Sequence, residues 1–153
     1  MAAKRAAYSL IEAITVVMIL GILTFIAVPR LNFSMFRGKE AGSAARQIAT
    51  DLRRTRTLAI SHAANNTKGY NLQMAGSSPY TSYTIVDANS GSTVDTLTID
   101  STISCTGGSV FKFGPLGNLQ SGSSSTPITV SYGSHTYTIT IISATGIVEC
   151  TGG

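Results

Sequence analysis

Apolar and polar positions divide this chain into three stretches with different periods. Ala13 to Val28 contains no charged residue and reserves no face for water. From Leu31 to about His62 the pattern stays helical but becomes one-sided. Ala41, Ala45, Ile48, Leu52, Thr55 and Ala59 recur at three- and four-residue steps and line one face. Arg46, Arg53, Arg54 and Arg56 fall largely outside that stripe. Small residues dominate the stripe, which suits close packing against a sheet. Gly38 and Gly42 weaken a helix by entropy, so irregularity is expected in its upper part. Unbroken from Tyr8 to His62, the helix would be about 80 Å long at ~1.5 Å per residue.

Past residue 62 the period changes to two. Strands are expected at Tyr70–Met74, Ser82–Asp87, Thr93–Asp100, Val110–Phe113, Ile128–Tyr132, Thr136–Ile142 and Ile147–Cys150. Turn signals separate them: Gly76-Ser77-Ser78-Pro79, Asn89-Ser90-Gly91, Gly107-Gly108, Gly114-Pro115 and Gly133-Ser134. Tyr137, Ile139 and Ile141 point one way, Thr136, Thr138 and Thr140 the other, as in an antiparallel sheet with one wet side. Leu119 to Thr126, LQSGSSST, is expected to be a mobile loop, and His135, after Gly133-Ser134, a turn residue. The pattern implies an α+β fold: a long N-terminal helix packed on a C-terminal antiparallel β-sheet head.

Composition sharpens this picture. The 153 residues suit one domain plus an appendage. Only 12% are charged, and Gly, Ser and Thr abound, a profile common in exported β-rich proteins and unusual in cytosolic enzymes. The mean hydropathy of +0.23 is high because of the apolar block. The net charge of +4 is unevenly spread. Pro29 to Lys68 holds eight basic and two acidic residues, whereas Gly69 to Gly153 holds one basic residue (Lys112) and four acidic ones (Asp87, Asp95, Asp100, Glu149). A basic stem and an acidic head imply different neighbours.

The candidate chemistry is sparse. There is no G-x-S-x-G motif, and neither His62 nor His135 has an acid–base context, so no catalytic role is expected. Gly107-Gly108 lacks the following helix that a phosphate-binding loop needs. Cys105 and Cys150 lack metal-ligand spacing and histidine neighbours, so no metal and no cofactor is expected. In an exported chain they would form one disulfide, the alternative being two free buried thiols. Each is followed by Thr-Gly beside a β segment, and joining them closes a loop of 44 intervening residues. The cluster Arg53, Arg54, Arg56, with Arg46 two turns earlier, has two readings: a phosphate-neutralising patch, or a helix face that is solvated or meets acidic heads of neighbouring subunits. No aromatic residue is interleaved, which favours the second.

The N-terminus is the most informative segment. Met1 to Ala7, MAAKRAA, is a short basic leader, followed by YSLIEAITVVMILGILTFIAVP. A secretory signal would end in small residues, but Pro29, Arg30, Leu31 and Asn32 follow the apolar run. A plain anchor needs about 20 apolar residues, which Tyr8 to Val28 supplies, yet Glu12 interrupts it, and a carboxylate in a membrane helix is costly without a partner.

These residues resemble the class III signal of type IV prepilins: a basic leader, a small residue, an aromatic residue, then glutamate four positions on within an apolar helix. The resemblance implies cleavage by prepilin peptidase between Ala7 and Tyr8, N-methylation of Tyr8, and a chain that, as given, is the precursor. Ala7 stands where the family usually has Gly, and Tyr8 where it usually has Phe. Glu12 would neutralise the N-terminal ammonium of a neighbouring subunit during assembly. Gly21 and Pro29 match the helix-weakening positions of many type IV pilins. The head order F-G-P-L-G (Phe113–Gly117), I-T-V, Y-T-I-T-I and T-G-I-V (Thr145–Val148), with the stem D-L-R-R-T-R-T-L-A-I (Asp51–Ile60), is similar to GspH/FimT-type minor pseudopilins.

The resemblance divides the chain into a leader (1–7), a membrane and filament-core helix (8–29), a stem helix (30–62) and a β-rich head (63–153). It implies a structural subunit of a type II secretion pseudopilus or type IV pilus, in the bacterial inner membrane with its head in the periplasm. Its partners would be other pilin or pseudopilin subunits. The alternative within the same scaffold is a FimT-like minor pilin that binds DNA for uptake, with the stem arginines as its contacts.

Overall fold

Among the described residues two helices precede eight strands, and the change from helix to strand falls where the period changes. The computed structural model describes residues 10–27 and 33–153, with side chains over 10–26 and 38–153. Helix α1 (Leu10–Ala27) forms one unit by itself. Its 18 residues reach about 27 Å at ~1.5 Å per residue, short of the ~30 Å hydrocarbon core. Among the described residues no helix is long and apolar enough to cross a membrane. The expected span over 8–29 has its ends, Pro29 among them, outside the described residues.

The second unit runs from Ser34 to Gly153. Helix α2 (Phe33–Ser61) continues through Gly38 and Gly42, where irregularity was expected. The glycines serve packing instead. A Cβ on Gly38 would lie 2.5 Å from the His135 ring, and one on Gly42 would lie 2.8 Å from the Tyr137 hydroxyl. Both aromatic rings thus settle where the helix has no side chains.

Six strands fall where alternation or β-branching marks them: β1 (Tyr70–Ala75), β2 (Ser82–Asp87), β3 (Thr93–Thr98), β5 (Val110–Phe113), β6 (Ile128–Tyr132) and β8 (Ile147–Gly152). The short β4 (Ser104–Gly107) is an addition to the expected set. β7 (His135–Ile142) begins one residue early, so His135 is a strand residue opposite Tyr132 rather than a turn residue. The strands form two antiparallel sheets of four, where the pattern had implied one. The first has the order β3-β2-β1-β5 and the second β4-β6-β7-β8.

Both sheets turn their apolar sides to one core. Leu72, Tyr83, Ile85, Phe111 and Phe113 of the first sheet join Cys105, Ile128, Val130, Ile139 and Val148 of the second. The stripe Ala45, Ile48, Ala49, Leu52 and Ala59 of α2 completes the cluster, which is why small residues alternate there with two large ones. Burying such side chains contributes roughly 1.5–3 kcal/mol each before chain entropy is subtracted.

The serine-rich segment after Leu119, expected to be mobile, is tied to the edge of β5. Gln120 N–H donates to Lys112 O at 2.8 Å and Ser124 N–H to Val110 O at 2.7 Å. The Ser124 hydroxyl accepts from Ser109 and Val110 N–H, and the Ser123 hydroxyl from Lys112 N–H. Serine hydroxyls thus satisfy donors that another strand would have taken, and close an edge otherwise open to pairing.

Candidate functional site

The residues singled out by the sequence separate into two groups. Ala7, Tyr8 and Pro29 lie outside the described residues. Glu12 stands in the first turn of α1, and Gly21 in its middle with nothing within 4 Å of where a Cβ would be.

α1 has no polar face. Every side chain from Leu10 to Ile26 is exposed, including Leu10, Ile11, Val17, Met18 and Phe25. Its polar side chains are three: Glu12, Thr15 and Thr24. The Thr15 hydroxyl donates to Ile11 O at 2.6 Å, and that of Thr24 to Leu20 O and Gly21 O, both at 2.9 Å. A threonine that bonds its own helix needs no water, so both can enter an apolar medium at little cost. Glu12 differs, since among the described residues its carboxylate has no hydrogen-bond or ion-pair partner. It is the one group on α1 that asks for a cation.

Three of the stem arginines bond to their own sheets and loops. Arg53 donates to Val148 O in β8 at 2.8 Å, and Arg56 Nε to Gly117 O and Thr145 O at 3.0 and 3.1 Å. Arg54 reaches the other way, to Asp95 in β3, at 2.8 Å. Successive arginines therefore hold edge strands of different sheets. Arg56 bridges two loops that Gly146, at φ +68, brings into contact: the Gly117 carbonyl occupies the place of its missing Cβ. Of the four, only Arg46 has a side chain with no hydrogen-bond or ion-pair partner among the described residues. Neither reading from sequence anticipated these bonds to the chain's own carbonyls.

Beneath the helix, the Tyr83 hydroxyl donates to the buried Asp51 carboxylate at 2.6 Å. Burial, followed by this bond and the Asp51 charge, pushes the phenol's pKa well above its ordinary value. The pair satisfies a charge that α2 carries inside its apolar stripe, and sequence spacing gave no hint of it.

The expected bridge between Cys105 and Cys150 is overturned: both are free thiols. Cys105 sits in β4 and Cys150 in β8, opposite edges of one sheet with β6 and β7 between them. Three strand spacings amount to about 14 Å, twice the ~7 Å that a disulfide permits between α-carbons. Burial pushes the Cys105 thiol up to about 11, an unreactive setting. Among the described residues no three His, Cys, Asp or Glu side chains are placed to hold a metal. Comparison of the chain with protein-family models, curated proteins and solved structures finds no match.

Proposed function

We propose that this chain is a structural filament subunit of the type IV pilin class, in the manner of GspH/FimT-type minor pseudopilins. The observation that carries the reading is α1. It has no polar face, its threonines are satisfied internally, and its single carboxylate has no partner among the described residues. Such a helix is suited to lipid first and to a bundle of like helices afterwards. An acid near its start gains from an ammonium supplied by a neighbour, because a charge in an apolar setting needs pairing. α2 and the two sheets form the head that the filament displays. The bonds of Arg53, Arg54 and Arg56 to their own head favour a stem role over phosphate contact.

The test is direct. Mass analysis of chain recovered from bacterial membranes is expected to show a methylated Tyr8 at its start. Glu12→Ala is expected to leave the head's thermal melt unchanged and to lower the pelletable filament fraction severalfold. A mature chain starting after Pro29, or a Glu12→Ala variant that assembles like wild type, would sink the reading.

A further inference from the structure

Because both sheets face one core, their other faces point away from it. Register identifies those outer faces. On the first sheet they carry Thr96, Thr84, Gln73 and Val110 in one row, and Val86, Asn71 and Lys112 in the next. On the second, Thr106, Thr129, Thr138 and Thr151 form one row across all four strands, with Thr140 and Glu149 paired beside it. Each face is a field of hydroxyls, amides and apolar groups with a single charge, a cation on one and an anion on the other; on the second sheet the exposed pair Ile142 and Ile147 lies beside Thr140 and Glu149. Asp87 and Asp95, in the strands of the first sheet, fall on its core-facing side, opposite Tyr70 and Ile85.

Lys112 and Glu149 have no side-chain partner among the described residues. Lys112 is half-buried, and its ammonium lies against Gly122, where a Cβ would come within 3.0 Å of it. Lys112 is the only Lys or Arg of the head beyond residue 68, which makes its placement on an otherwise uncharged face specific.

From this charge complementarity we infer that the outer face of the first sheet docks on the outer face of the second sheet in another copy of this chain, with Lys112 paired to Glu149 of that copy. The two patches differ, so the contact is heterologous. Each copy keeps one free face of each kind, and repetition generates an open, growing assembly rather than a closed dimer. Uncharged rows around a single ion pair leave few charges to desolvate, while the pair fixes register and excludes the like-face arrangement. The inference rests on the filament reading and names the head contact within it.

The test uses the full-length chain in bacterial membranes, treated with a zero-length carbodiimide that couples an amine to a carboxylate. Wild type is expected to give oligomers whose linked peptides join Lys112 to Glu149. Lys112→Glu and Glu149→Lys are each expected to lower the oligomer yield by about tenfold, because like charges then face each other. The double reversal is expected to restore the yield to within about twofold of wild type, and thermal melts of all three variants control for folding. Absence of the Lys112–Glu149 link in wild type, single variants that assemble normally, or a double variant that stays impaired would each overturn the contact. Cross-linking is scored on membranes whether or not filaments pellet. Failure of the filament reading therefore shows as absent filaments, and failure of this contact as an absent link.

Discussion

Leu20 in α1 and Leu52 in α2 are the same residue in the same secondary structure, yet the first is 55% exposed and the second 0%. The difference lies in the company each keeps. Around Leu52 the sequence alternates an apolar stripe with arginines, so one side of α2 meets the sheets while the other reaches their edges. Around Leu20 every side is apolar, and no single face is marked for burial. Periodicity records which surface a helix must hide, and uniform hydrophobicity records that all of it must be hidden. Two helices of one chain thus carry two patterns, one with a single face to bury and one with no polar face.

The strongest way to break this comparison is to truncate both leucines. Leu52→Ala removes a side chain from the junction of α2 and both sheets and is expected to cost the head about 2–5 kcal/mol of unfolding free energy. Leu20→Ala removes exposed surface only, and the head's urea midpoint is expected to stay within error of wild type. Equal losses in the two variants would mean that α1 contributes to the head's stability, against the contrast drawn from burial.

Glycine sharpens the contrast because the same change should have opposite effects in the two helices. Gly21→Ala places a methyl where nothing lies within 4 Å, so α1 gains up to ~1 kcal/mol of helix propensity without a clash. Gly38→Ala places one against three atoms of the His135 ring, forcing β7 or the ring to move at a cost of roughly 1–3 kcal/mol. Circular dichroism of full-length chain in detergent should show the first as added helix, and thermal melting the second as a lower midpoint. A Gly38→Ala variant as stable as wild type would show that the ring swings aside freely.

How much of this was legible in the sequence follows from the range of each interaction. The boundaries of β2, β5 and β6 were readable because alternation and turn residues are local. β4 escaped because Ser104-Cys105-Thr106-Gly107 offers a single apolar residue and no alternation. That β4 pairs with β6 and β1 with β5 is a matter of long-range pairing, which no period encodes, and the division into two sheets was missed with it. The same limit produced the cysteine error, since spacing in sequence does not tell one edge strand from the other. In the candidate site, the place of Glu12 near the start of an apolar helix was readable from its neighbours. The arginine bonds were not, because Arg53 reaches a carbonyl 95 residues away and Arg56 one 89 residues away. Composition misled once: serine-rich segments read as mobile, but here the hydroxyls replace a missing strand.

The smallest expected effect concerns a charge pair that ties α2 to the first sheet, the only such pair among the described residues. Arg54 and Asp95 are both substantially exposed, so water and salt screen their attraction. The hydrogen bond from Arg54, aided by Thr96 N–H, holds the Asp95 carboxyl below the ordinary carboxylate range. A lowered folded-state pKa means that the bond's contribution is complete above the unfolded carboxylate value, near pH 4. It is lost as pH falls below that value through the folded pKa. Arg54→Ala is therefore expected to lower the melting midpoint slightly at pH 7 in low salt. The deficit should shrink in high salt and vanish in acid below the folded pKa. Leu52→Ala should keep its deficit under all of these conditions, since apolar burial does not titrate. An Arg54→Ala deficit that persisted in acid would assign the arginine a packing role, its stem lying on the sheet, in place of the charge pair.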